Sequence, residues 1–274
     1  MSLDAHMPIG LFDSGIGGLT VLHALRRRLP QEDLIYLGDT ARLPYGTKGR
    51  ETIIRYSQRA TQKLVDSGIK MLVIACNTAT SAALPTLREQ FAPLPVMGVV
   101  EPGAAAAVAA SRNKRIVITA TEATIAGGAY QEAIRRRCPD ATVIGRACTL
   151  FVSLAEEGWT DGPIAEGVAA RYLRDVFADG PEKPDTLLLG CTHFPLFTNA
   201  LRHVVGPDVH IVDSAATTAQ AVETELQRLG LLGEPGRRGV SRFLVTDNIA
   251  RFMRSGGYFL GEELHRNDVT LVDL

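Results

Sequence analysis

The sequence predicts an α/β protein made of two related halves, each a mostly parallel sheet flanked by helices. Three observations carry this reading. Short apolar runs of strand length recur at residues 9–12, 34–37, 71–75, 96–100, 115–119, 142–144, 186–189, 210–212 and 242–245. Between most of them lie segments with apolar residues at helical spacing, such as 19–29, 52–67 and 164–177. Continuous apolar strands alternating with helices indicate parallel βαβ units, because such strands are buried on both faces. The chain also repeats itself. PIGLFDSGIGGLTVLHAL at 8–25 is laid out like RIVITATEATIAGGAYQEAI at 115–134: strand, small polar turn, glycine-bearing helix start. MLVIACNTATSAALPTLRE at 71–89 parallels TLLLGCTHFPLFTNALRH at 186–203, which aligns Cys76 with Cys191 at matching strand ends. Open α/β sheets bind ligands at such ends.

No low-complexity linker marks a boundary, so the crossings are expected at the Glu-Pro-Gly turn within 99–103 and the Gly-Pro turn within 205–208. The expected division is a first domain of residues 1–98 plus 208–274 and a second of 99–207. On this division the strands at 210–212 and 242–245 both return to the first domain.

Composition excludes several classes of function. The chain has 274 residues, 46% hydrophobic and 22% charged, which suits one large or two medium globular domains. A net charge of -1 and a pI of about 6.6 speak against a nucleic-acid or membrane-surface partner. The apolar stretch at 94–110 carries Glu101 and two prolines, so it does not read as a membrane span. MSLDAHMPIG lacks the basic and apolar regions of a secretory signal, and a cytoplasmic location is expected. Four cysteines without a CxxC pair read as free thiols, with neither a disulfide framework nor a metal site.

The strongest chemical signal lies in the repeated cysteines. Cys76 precedes Asn77-Thr78 and Cys191 precedes Thr192-His193, each where a helix is expected to start. Free N–H groups and the helix dipole there would stabilise a thiolate. If the halves face one another, one thiol stands on each side of a shared cleft. Cys138 and Cys148 read as small buried hydrophobes. DSGIGG at 13–18 lacks both the Gly-Lys-Ser/Thr ending of a phosphate loop and the GxGxxG spacing. It offers amides to a carboxylate and Asp13 to an ammonium or a thiol, unless it is only a tight turn. GDTARLPYG at 38–46 is a loop whose Tyr45 and Gly46 are placed to close over a small ligand. His193 reads as a proton partner rather than a metal ligand. The arginine runs at 26–28 and 135–137 read as solvated helix ends, and Glu156 and Glu157 as surface residues.

Taken in order and spacing, FDSGIGGLTV, GDTARLPYG, ACNTATS, GVVEPG, ATIAGGAY and GCTHFPL resemble the glutamate racemase family of the aspartate/glutamate racemase superfamily. The resemblance extends from residue 8 to the LVTDNIARFM and YFLG segments. It implies a pseudosymmetric two-domain fold with the active site in the interdomain cleft. The implied activity is cofactor-independent interconversion of L- and D-glutamate, supplying D-glutamate for bacterial peptidoglycan, by a homodimer. By this resemblance Cys76 and Cys191 match the two catalytic cysteines, acting on D- and L-glutamate respectively. Asp13 matches a carboxylate assisting the first, His193 an auxiliary acid/base, and Glu156 a glutamate assisting the second. Asp13, Ser14, Tyr45, Gly46, Asn77, Thr78 and Thr192 match substrate-binding positions. The family's CPLFVPLVE segment reads CTLFVSLAE at 148–156, which bears on Glu156. A long N-terminal extension is associated with activation by a peptidoglycan precursor, and no such activation is expected here.

The chemistry is intelligible from the residues. Racemisation needs a base on one face of Cα and an acid on the other, and two opposed thiols supply both. Without a pyridoxal ring as electron sink, the site must stabilise the carbanion electrostatically. Aspartate or hydantoin racemisation would use the same pair. A thiol-dependent hydrolase with Cys191 as nucleophile and His193 as base, or a binding protein without turnover, are the readings from other classes.

Overall fold

The structure, a computed structural model, describes residues 3–274. The first half runs β1 (Ile9–Asp13), α1 (Leu19–Arg28), β2 (Leu34–Gly38), α2 (Arg50–Asp66), β3 (Met71–Ile74), α3 (Asn77–Gln90) and β4 (Val96–Gly98). The second runs α4 (Val100–Ala110), β5 (Arg115–Ala120), α5 (Glu122–Gly127), α6 (Ala129–Arg137), β6 (Thr142–Ala147), α7 (Leu150–Glu156), α8 (Gly162–Leu173), β7 (Thr186–Gly190), α9 (Thr198–Val205) and β8 (His210–Asp213). The chain ends with α10 (Ser214–Leu229), β9 (Ser241–Val245), α11 (Ile249–Leu260) and β10 (Val269–Leu271).

The strands form two sheets, ordered β10-β9-β2-β1-β3-β4 and β6-β5-β7-β8, with every pairing parallel. The block β2-β1-β3-β4 of the first sheet has the same connectivity as the whole second sheet. The internal repeat seen in the sequence is thus a repeat of topology, with β1 equivalent to β5 and β3 to β7.

One expectation is overturned. The strand at 210–212 was expected in the first domain, but Thr186 pairs with His210 and Leu188 with Val212, so β8 closes the second sheet. It stands to β7 as β4 stands to β3. The chain therefore returns to the first sheet after β8, through α10 into β9, rather than at residue 208. β10 escaped the sequence reading because it is a three-residue edge strand with two exposed residues. The run at 96–100 stops being strand at Gly98 because Val100 already belongs to α4.

The inner strands β1, β2 and β3 of the first sheet and β5 and β7 of the second are buried on both faces. Phe12, Leu37, Leu72 and Ile74 pack under α2 and α3, and Ile116, Ile118 and Leu188 under α4 and α6. The opposite faces share one core, in which Leu11 and Val73 of the first sheet join Val117 and Leu187 of the second through α1 and α10. The halves are thus joined by hydrophobic burial, at about 25 cal/mol per Å² of apolar surface. Arg26 and Arg28 at the end of α1 pair with Glu262 and Glu223, and Arg136 and Arg137 of α6 pair with Glu101. These are exposed or half-exposed ion pairs, as solvated helix ends would make, and each contributes little. Among the described residues no helix is long and apolar enough to cross a membrane.

Candidate active site

Parallel strands end on a common edge, and the residues picked out in the sequence gather beyond it. β3 ends just before Cys76, which caps α3: its Sγ accepts the Ala79 N–H at 3.4 Å and donates to Ser14 Oγ at 3.5 Å. Asp13 ends β1 and is buried; its Oδ2 accepts the Gly15 N–H at 2.9 Å, while Oδ1 has no partner. Burial holds the Asp13 carboxyl above the usual range. Burial, reinforced by the negative charge of Asp13, pushes the Cys76 thiol up to about 12. The helix start was expected to stabilise a thiolate at this position. Here desolvation outweighs the cap and favours the thiol form of Cys76.

The second thiol is built differently. Cys191 follows β7, but the chain continues as a short 3₁₀ turn over Phe194–Phe197, and α9 begins only at Thr198. The expected α-helical start is therefore absent, and the Cys191 side carries side chains in its place. Cys191 Sγ lies 3.8 Å from His193 Nδ1, and His193 Nε2 lies 3.4 Å from Glu156 Oε1. Glu156 Oε2 accepts from Arg251 at 2.9 Å. Desolvation opposes charge on the buried His193, but the hydrogen bonds to Cys191 and Glu156 outweigh it and raise the imidazole to about 10. Glu156 is held below the usual carboxylate range: burial works against this, while His193 and then Arg251 prevail. At these distances the histidine contacts are chiefly electrostatic. Glu156, read as a surface residue, has a side chain only 12% exposed, whereas Glu157 is exposed.

One small cavity of about 40 Å³ collects the site, lined by Cys76 and Cys191 together with Ser14, Tyr45, Gly46, Asn77, Thr78, Thr192, His193 and Glu156. Of the expected residues only Asp13 is not on its wall; it lies behind Ser14. Tyr45 is fixed by donating to Asp39 Oδ2 at 2.6 Å, and Asn77 Oδ1 accepts from Tyr130 at 2.6 Å, which leaves Asn77 Nδ2 buried without a partner. Thr78 Oγ1 meets Thr121 at 2.9 Å and Thr124 at 3.1 Å, joining the two halves across the cavity.

Sequence reasoning missed Leu43, Pro44, Thr121 and Val152 on the wall, and Arg251 behind it. A signal for Thr121 existed: in the repeat it is the counterpart of Ser14. The apolar residues gave none. Cys138 and Cys148 are free thiols outside the cavity. Cys138 donates to Asp140 at 3.2 Å, and Cys148 is buried and pushed up to about 12 by desolvation. Among the described residues no three of His, Cys, Asp or Glu gather as a metal site.

Gly17 sets how closely the halves approach. A Cβ on it would stand 2.3 Å from Thr192 Oγ1 and 2.5 Å from His193 Nδ1. Gly17→Ala therefore displaces the Cys191 loop, and misplacement of about 1 Å costs about 10²-fold in rate. The expected result is that fall in kcat/KM with little change in melting temperature; unchanged kinetics would show that the loop has room to give.

Two thiols at repeat-equivalent strand ends, on one cavity between two parallel sheets, define an amino-acid racemase type of α/β protein, and a family model described as Asp/Glu/Hydantoin racemase matches residues 19–222. Glutamate racemase of Geobacter metallireducens is 48% identical over 266 residues, covering 97% of this chain and 96% of that protein. The crystal structure of a glutamate racemase isoform from Bacillus anthracis superposes with a TM-score of 0.92 at 33% identity, covering 98% of each chain. That of the Francisella tularensis glutamate racemase in complex with D-glutamate gives 0.90 at 36% identity, again over 98% of each. The chain belongs to the glutamate racemase family.

Proposed function

We propose that the chain interconverts L- and D-glutamate by two-base proton transfer at Cα, with Cys76 serving D-glutamate and Cys191 serving L-glutamate. The observation that carries this is the presence of both thiols, one from each half, on the wall of a single cavity. In one direction Cys76 takes the Cα proton on one face while Cys191 delivers its own to the other; the reverse reaction exchanges the roles. Cys76 starts protonated, so a base must first receive its proton, and the unpartnered Oδ1 of Asp13 is the nearby acceptor. His193, charged at neutral pH, stabilises the negative charge that Cys191 carries after donating.

Hydrogen-bond donors replace an electron sink. The hydroxyls of Ser14, Thr78, Thr121 and Thr192 and the unpartnered Nδ2 of Asn77 are available to the substrate carboxylates and the developing carbanion. A closed cavity strengthens these contacts by excluding water. Glutamate is preferred to aspartate as substrate on the strength of the Francisella tularensis relative, whose structure holds D-glutamate. The product then serves as D-glutamate for peptidoglycan, in a bacterium. The two α/β units, the first-sheet strands β1–β4 with β9–β10 and the second-sheet strands β5–β8, open and close around the substrate.

Circular dichroism of D-glutamate and, separately, L-glutamate tests the reading, in buffer free of added metal and pyridoxal phosphate. Both signals are expected to decay to zero, with aspartate turned over far more slowly. No change with either enantiomer, together with no Cα exchange in deuterated water, would overturn it.

A further inference from the structure

The Cys191 side is held together by a residue from the other half of the molecule. Glu156 ends α7 in the second half, with one carboxylate oxygen facing His193 and the other facing Arg251 of α11, which packs against α1 and β10 of the first. Arg251 is itself fixed locally. Asn248 caps α11 in the left-handed region at φ 44°, and its side chain accepts the Arg251 N–H at 3.0 Å.

The turn that leads into α11 is tied to the opposite wall of the cavity. Thr246 Oγ1 donates to Asp39 Oδ1 at 2.9 Å, the same carboxylate that accepts from Tyr45. Thr40 Oγ1 donates to the Asp247 carbonyl at 2.7 Å and accepts the Asp247 N–H at 2.8 Å. A continuous polar bracket thus runs from Tyr45 through Asp39, residues 246–251, Glu156 and His193 to Cys191.

We infer that Arg251 is a positioning residue for the Cys191 half-reaction, clamping Glu156 in the orientation that holds His193 turned toward Cys191. Without the guanidinium, Glu156 sits at the end of a short helix before Gly158, at φ 77°, and only the long contact to His193 holds its carboxylate inward. A positive charge and one N–H donor, Nη2 to Oε2 at 2.9 Å, are what the clamp supplies. The inference rests on the two-thiol reading proposed above.

The test uses substrate deuterium isotope effects on kcat/KM with Cα-deuterated L- and D-glutamate, for wild type, Arg251→Ala, Arg251→Lys and Arg254→Ala. Arg254, exposed one turn further along α11, is the control and is expected to match wild type. Arg251→Ala is expected to lower kcat by about 10-fold or more, as loss of an orienting partner does. The isotope effect should rise with L-glutamate, where Cys191 breaks the C–H bond. It should fall with D-glutamate, where Cys191 only reprotonates and its slowed step masks the first. Arg251→Lys, which keeps the charge, should restore most of the rate and both isotope effects. A rate loss in Arg251→Ala with both isotope effects unmoved, or no rate loss at all, would overturn the inference while leaving the racemase reading intact. Absence of wild-type turnover would overturn both.

Discussion

Cys76→Ser and Cys191→Ser are each expected to lower racemisation by about 10²–10⁴-fold, the contribution of a positioned acid or base. Serine is nearly isosteric, and both cysteines are buried in well-packed surroundings, so the fold should persist and the loss should be chemical. A hydroxyl is a far poorer base than a thiolate at neutral pH, and the defect does not depend on which enantiomer is supplied, because every turnover uses both groups. Proton exchange should separate the two variants. Cys76→Ser keeps the Cys191 thiol with His193 and Glu156, so it should still exchange the Cα proton of L-glutamate with deuterated solvent faster than it inverts the centre. Cys191→Ser should show the same bias with D-glutamate. Cys138→Ser, outside the cavity, should be unaffected. Full racemisation by Cys76→Ser would remove the two-base scheme altogether.

How much of this was readable in advance varied with the physics behind each residue. The strands were legible because parallel β-structure buried on both faces leaves uninterrupted apolar runs. The repeat made the paired cysteines legible, since it placed Cys76 and Cys191 at equivalent strand ends before any geometry was known. Carried one strand further, the same repeat would have put β8 in the second sheet, as the partner of β4; the Gly-Pro turn before it was a misleading boundary. Thr121 was recoverable by the same symmetry from Ser14. Arg251 was not, because nothing local in an exposed helix start says which carboxylate it will meet 95 residues away. Nor did the sequence show that burial would keep Cys76 protonated despite its helix cap, a contest between desolvation and a few hydrogen bonds that only three-dimensional packing decides.

The largest expected change in stability lies at the opposite edge of the first sheet. Lys70, just before β3, donates to Glu32 Oε2 at 2.5 Å, and the two side chains are 0% and 1% exposed. Nζ also donates to the Ala5 carbonyl at 2.6 Å, and Glu32 Oε1 accepts the Gly233 N–H at 2.6 Å. The pair therefore ties the N-terminal segment, the β2 approach and the turn after α10 to the start of β3. Lys70→Met keeps the length of the side chain but leaves Glu32 buried without its cation, and breaking such a pair costs about 3–5 kcal/mol. Denaturant unfolding should show that loss, and the melting temperature should fall by roughly 10 °C. Lys70→Met with Glu32→Leu should recover much of it, because replacing both members by apolar groups removes the stranded charge. Lys70 stands at the amino end of β3 and Cys76 just beyond its carboxyl end, with five buried apolar residues between. Folded Lys70→Met protein should accordingly racemise at close to the wild-type rate at low temperature. A fall in kcat at temperatures where the variant is fully folded would mean that the two ends of the strand are coupled, with stability at the amino edge helping to set the position of the thiol.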